Sequence, residues 1–502
     1  MKVNSNLLLA VMLYLAIVPA ALARTWFVNG SGGNDANDCA TSASACATIG
    51  HAIALTTSGD AIQIAAGTYP ENITIPFDLS LNGAQASSTI IDGGNSADVI
   101  VVDSSSATVA LANLTIQRGF GNTGGGVFNA GTMTITNCVI TGNQGSQGGG
   151  IYNSGTLTIS TSTISGNTAG GTTNVLGGGI YNSGTLILNN STVSNNSGNQ
   201  PFVYGGAIEN RGRLTINNST LNANSANGIT GGAGGAIDTI AGTVAINNST
   251  MVGNTATAVF GGGALYVEGG SVKISNSTFK KNSSLVPGGA ISNVGGSVVI
   301  QNSIVAGSKS GGNCYGTITS DGYNLSSDGT CNFSNNGDLN SVGPRLGPLQ
   351  NNGGSTLTMA LMTGSPAIDA GNPTGCTDNL GQLLTSDQRG QPRPDKGETR
   401  CDMGAYENQS YATTTALSSS SNPSSATQSV TFTATVSSTS GAPTGAVTFT
   451  QNGTPVATVA LSGGKASFSR TFNSSGTKKM GAVYSGDGSF DTSSGSMAQV
   501  VK

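Results

Sequence analysis

Apolar residues in the middle of this chain fall into short alternating runs divided by glycine and asparagine, and the runs recur. One unit, roughly G-G-G-I-Y-N-S-G-T-L-T-I-x-N-S-T-I-S-G-N, returns with its aliphatic anchor at Val127, Ile151, Ile180, Ile208, Ile237, Leu265 and Ile291. The intervals run from 24 residues (Val127 to Ile151) to 29 (Ile151 to Ile180), a period that predicts a solenoid. Each unit reads as three strands, of which the first carries the anchor. The second alternates, as in Thr156-Leu157-Thr158-Ile159, so that Leu157 and Ile159 face inward. Its inward rows are Met133, Leu157, Leu186, Leu214, Val244, Val272, Val298 and Ile135, Ile159, Leu188, Ile216, Ile246, Ile274, Ile300. The third strand supplies Ile116, Ile140, Ile164, Val193, Leu221, Met251, Phe279 and Val305. Like residues stacked on like predict parallel pairing about 4.8 Å apart. The fold class read from this pattern is all-β, a parallel β-helix.

Two asparagine rows keep the same period. One is Asn113, Asn137, Asn190, Asn218, Asn248, Asn276 and Asn302, with Thr161 in place of Asn once; the other is Asn143, Asn167, Asn196, Asn224, Asn254 and Asn282. Stacked amides satisfy polar groups where the chain bends, so these rows are read as structural.

The flanks divide the chain further. Residues 1–23 carry Lys2, an apolar run over 7–18, Pro19 and the small-residue site Ala21-Leu22-Ala23, the pattern of a cleaved signal peptide. Residues 24–100 predict an N-terminal cap, with a short helix near 46–55, and the first coils. The repeats fill 101–305, and final coils with a closing cap fill 306–410. Over 411–502 regular alternating strands and the turn Asn452-Gly453 predict an Ig-like β-sandwich. No second apolar stretch of about 18 residues follows the signal, so no membrane span is expected in the mature chain, which is read as a secreted or cell-surface monomer.

Seven cysteines suit an oxidising compartment. Local pairing suggests Cys39–Cys46, Cys314–Cys331 and Cys376–Cys401, with Cys138 left over as a packed thiol. With 19 Lys and Arg and a net charge of −4, a basic face for nucleic acid is not expected.

The repeats resemble right-handed parallel β-helix proteins of bacterial surfaces, and also the polymorphic outer-membrane repeats with motifs G-G-A-I and F-x-x-N. Gly206-Ala207-Ile208 and Gly289-Ala290-Ile291 follow the first motif, and Phe279-Lys280-Lys281-Asn282 the second. Residues 303–407 resemble the cap of choice-of-anchor Q proteins, through Asn352-Gly353-Gly354, Asp387-Gln388-Arg389-Gly390 and Cys401-Asp402-Met403-Gly404-Ala405-Tyr406-Glu407. Val483-Tyr484-Ser485-Gly486-Asp487 resembles a bacterial Ig-like repeat domain. These resemblances imply a right-handed helix and an extracellular address, and little about activity.

Candidate chemistry lies in the position after each anchor: Phe128, Tyr152, Tyr181, Glu209, Asp238, Tyr266 and Ser292. Glu209 and Asp238 fall on adjacent coils, near the carboxyl spacing of retaining glycosidases. Glu209 also stands two residues from Arg211, so a simple surface ion pair is the alternative. Tyr152, Tyr181, Tyr266 and Arg211 are candidate sugar contacts. His51, the sole histidine, is read as packing or surface. No cofactor is expected; the Asn/Asp-rich loop 32–38 has only a superficial likeness to a Ca²⁺ loop. The expected function is non-catalytic, in adhesion or binding of extracellular polysaccharide or a neighbouring cell surface. A polysaccharide lyase or glycoside hydrolase using Glu209 and Asp238 is the alternative, and a passive spacer the third.

Overall fold

In the computed structural model the described residues are 23–502, apart from 172–173, 199, 258, 396–398, 440 and 488–489. The expected signal peptide lies almost wholly outside them. Among the described residues no helix is long and apolar enough to cross a membrane.

A helix over Ile49–Leu55, capped by the Thr48 side chain, buries Ile49, Ala52 and Ile53 at the entrance of the stack. Behind it the coils pair in parallel, giving two twelve-stranded and two ten-stranded sheets among the described residues. The register is like on like. Ile151 pairs with Ile180, Leu157 with Leu186, Ile159 with Leu188, and Ile164 with Val193. The inward rows form one continuous buried core, and each such aliphatic side chain contributes about 1.5–3 kcal/mol on burial.

The first asparagine row owes its identity to the backbone. Between the second and third strands the chain passes once through the left-handed region, with φ of 52° at Asn137, 50° at Asn190 and 50° at Asn218. Asn enters this region at least cost among non-glycine residues. Thr161 occupies the same position with φ of 46°, where a β-branched side chain is strained. Thr161→Asn is expected to raise stability by about 1 kcal/mol, read as a shift of the denaturant midpoint at constant m-value.

The second asparagine row is a buried ladder. Asn143 Nδ2 donates to Asn167 Oδ1 at 3.0 Å and Asn167 Nδ2 to Asn196 Oδ1 at 3.0 Å, and the run continues to Asn282. Two further ladders were not anticipated. Asn129, Asn153, Asn182 and Asn210 form one that ends on Thr239. Ser162, Ser191, Ser219, Ser249, Ser277 and Ser303 form the other, each backbone N–H donating to the next serine's Oγ.

Glycines before each anchor let coils approach closely. A Cβ on Gly206 would overlap Gly235 O and the backbone of Ser225. Gly206→Ala is therefore expected to cost at least about 2 kcal/mol through forced separation of coils, seen as a lowered thermal midpoint.

The intervals exceed one simple coil because the loop before each anchor builds the fourth sheet. Asn174–Leu176, Phe202–Tyr204 and Gly231–Ala233 pair in parallel over a small core of Ala169, Val175, Val203 and Ala226. This sheet was not foreseen.

Within the segment expected to hold final coils and a closing cap, Cys314–Tyr315, Thr319–Ser320, Leu325–Ser326 and Leu339–Asn340 continue the stack. After Leu339–Asn340 the chain runs back along the flank of the third-strand sheet as a strap. Gln388 Nε2 donates to Thr220 Oγ1 at 2.9 Å, while Thr250 Oγ1 donates to Gln388 Oε1 at 2.6 Å. Asn276 Nδ2 donates to Thr377 O, and Ala405 N to Thr278 Oγ1. Arg393 and Glu407, both buried, form an ion pair at 2.7 Å, and Arg393 also donates to Asn248 Oδ1 at 3.1 Å. The physical reason is a row of outward threonines (Thr220, Thr250, Thr278) that offers hydroxyls to the strap's polar motif. The three expected disulfides are present, and Cys138 is buried and free.

Beyond the strap, two antiparallel sheets of three and four strands enclose Phe432, Val447, Phe449, Met480 and Tyr484. The hairpin between Ala446–Gln451 and Thr454–Ala460 turns through Asn452 and Gly453, at φ of 52° and 86°. These sheets fit an Ig-like domain.

Candidate functional site

The row following the anchors is in register throughout: Phe128 on Tyr152, Tyr152 on Tyr181, Tyr181 on Glu209, Glu209 on Asp238, Asp238 on Tyr266, Tyr266 on Ser292. These side chains leave the core of the helix, as alternation requires. They do not all reach solvent. Tyr204 of the fourth sheet and the neighbouring Phe260 lie against the row, and Tyr181 is 7% exposed, Tyr266 6%, and Glu209 and Asp238 both 0%. The reading of Glu209 as half of a surface ion pair is thereby corrected. Its Oε1 accepts from Arg211 Nε at 3.2 Å, with the carboxylate sealed and the guanidinium side chain 41% exposed.

The aromatic residues split into two groups. Phe128, Tyr152 and Tyr181 are stacked, with centroids 5.2 and 5.0 Å apart and planes within 5° and 16°. Arg211 lies over Tyr181 at 5.6 Å. The stack turns ring faces toward one another, leaving edges and the Arg211 head at the surface. The second group belongs to the cover: Tyr204 and Phe260 are 6.0 Å apart, and Phe260 reaches Tyr266 at 6.2 Å. Tyr152 thus stands at the rim, while Tyr181, Tyr266 and Arg211 surround the carboxyl pair.

Glu209 and Asp238 are directly paired across adjacent strands, and each acts on the other's ionisation. Glu209 Oε2 and both oxygens of Asp238 are buried with no donor supplied by another group. Burial pushes the Glu209 carboxyl up to about 7, against the pull of Arg211. Burial, then the neighbouring Glu209, raises Asp238 well above the usual carboxylate range. Such a pair shares protons rather than carrying two charges. Glu268 completes the cluster; its own pKa is raised by burial, and its charge acts on both carboxyls. The sequence reading omitted it, although it stands two residues after Tyr266, as Arg211 stands two after Glu209.

Elsewhere, loop 32–38 uses its oxygens internally. Asp35 accepts from Ala47 N, Thr48 N and Thr48 Oγ1, and Asp38 from Ala40 N and Ser44 Oγ. This accounts for its composition by turn and cap formation. Among the described residues Cys39, Cys46 and His51 cluster closely enough to hold a metal, but both cysteines are disulfide-bonded and offer no thiolate. A cleft of about 470 Å³ where the strap meets the helix is lined by Lys273, Gln301, Asp321, Asn379 and Leu380, and by none of the row residues.

Residues 98–279 match the family model described as a right handed beta helix region, and residues 417–502 match that of a bacterial Ig-like domain (group 3). A solved structure titled "The complex structure of XylC with xylose" is similar at a TM-score of 0.41 and 9% identity, over 76% of this chain and 98% of that one. No curated protein matches. The chain is built as a right-handed β-helix region followed by a bacterial Ig-like domain of group 3.

Proposed function

We propose that this is an extracellular, non-catalytic β-helix protein whose long side binds polysaccharide or a neighbouring cell surface. The carrying observation is the fate of the repeats' acid pair: Glu209 and Asp238 have no exposed surface, whereas Arg211 beside Glu209 and Tyr152 further along the row do. An exposed guanidinium offers charge-assisted hydrogen bonds to the hydroxyls or carboxylates of a sugar chain. Disulfides and an Ig-like domain are consistent with an extracellular place, as is the strap's resemblance to choice-of-anchor Q proteins.

The test is a polysaccharide panel presented to residues 24–502, read for binding and for product release at once. Binding without product is expected. Tyr152→Ala and Arg211→Ala are each expected to weaken it about tenfold, or about 1.4 kcal/mol. Tyr181 and Tyr266 serve this test poorly, because both are buried and their removal leaves cavities.

A second reading, a carbohydrate-active enzyme, is favoured by one observation: two buried carboxyls in strand register, a pairing suited to acid–base work. It requires the fourth sheet to open. Product formation lost on Glu209→Gln would establish it over the first reading, and silence on both channels would favour a spacer.

A further inference from the structure

Among the described residues of the repeats, Glu209 and Asp238 are the two buried acids. They are in register and sealed, and three of their four oxygens lack a donor from any other group. The groups facing them are few. On the row's own sheet are Arg211, bonded to Glu209, Glu268 on the next coil, and the phenols of Tyr181 and Tyr266. From the covering sheet comes Tyr204, whose ring feels both acids. Fully ionised, three carboxylates would oppose one guanidinium. That arrangement is untenable under cover and acceptable in water.

We infer that Glu209 and Asp238 form a proton-held latch, which keeps the strands Phe202–Tyr204 and Gly231–Ala233 closed over the aromatic row and lets them lift as protons are lost. The covering strands suit this role. They are three residues long; Tyr204 and the glycines before each anchor meet the row, and Phe260 of the following coil bridges Tyr204 to Tyr266. A proton between the acids satisfies both as donor and acceptor. Its loss leaves like charges about one strand spacing apart, and lifting the cover admits water to them.

The direction follows from linkage. Acids whose pKa is raised in the closed state stabilise closure below their open-state pKa, and that contribution is lost as pH rises toward the closed-state value. For Glu209 the window runs from its ordinary 4.5 to about 7, and for Asp238 it extends upward from 3.8. Within the window the opening equilibrium grows by up to about tenfold per pH unit for each proton released.

Hydrogen exchange of the intact protein tests this, corrected for the intrinsic pH dependence of amide exchange. Between about pH 5 and about pH 8, protection of residues 200–207 and 228–236 is expected to fall by on the order of 100-fold, while residues 156–160 stay protected. Asp238→Asn, and independently Glu209→Gln, keep the shape of the pair without its second charge and should flatten the fall. Unchanged protection in the wild type, or an equal fall in both variants, would overturn the latch. Protection restored at the higher pH by calcium alone would also overturn it, in favour of a cation held by the same oxygens.

Discussion

Ile216→Asp is expected to break the stack in two. Ile216 is 0% exposed and sits between Leu188 and Ile246 in the second inward row. The substitution removes a buried aliphatic group and sets a carboxylate against hydrocarbon on both sides. Loss of the side chain alone costs about 2–5 kcal/mol, and an unpaired buried charge adds several more. In a solenoid each coil is stabilised by its neighbours, so damage at one coil uncouples those on either side. Calorimetry should show the wild type's principal transition replaced by two broader ones at lower temperature, or no folded product. Ile216→Val, which keeps the polarity, should cost only about 1 kcal/mol. An unchanged melting curve for the aspartate variant would contradict the register.

Arg393→Ala is expected to release the strap. Arg393 is 3% exposed and is the cation against which Glu407 is buried. Glu407 also accepts from Asp402 N at 3.1 Å, and Asp402 is itself buried, with its pKa well above the usual range through burial and the adjacent Glu407. Removing the guanidinium leaves two acids together with no partner charge and empties the bond to Asn248 Oδ1. Breaking a buried pair from one side costs about 3–5 kcal/mol. Limited proteolysis should cut within residues 375–400 at a rate at least about 100-fold above wild type. Cleavage at the wild-type rate would show that other contacts suffice to hold the strap.

The inward rows, the entrance helix, the disulfide pairs and the Asn-Gly hairpin were all legible in the chain, because each leaves a mark at fixed spacing. So was the adjacency of Glu209 and Asp238, since equal offsets from Ile208 and Ile237 compel it. Their burial was not legible. The cover is built from loops of unequal length whose strands can be as plain as Gly231-Gly232-Ala233. The serine ladder escaped notice because serine is ordinary at surfaces, and only the fold shows that Ser219 and Ser249 lie inside. The strap escaped because its mates are far apart in sequence. Gln388 meets Thr250 across 138 residues, and no period relates them.

The strap changes how the molecule answers to pulling. In an unsupported stack, tension applied beyond residue 410 would peel the last coil, breaking its ladder one bond at a time. Here the strap is fastened to coils at Thr220, Thr250, Thr278 and Asn302. Tension from the Ig-like domain is therefore shared among four coils, whose bonds must shear together. A surface protein held in flow by its C-terminal side would meet drag with its firmest section rather than with its edge.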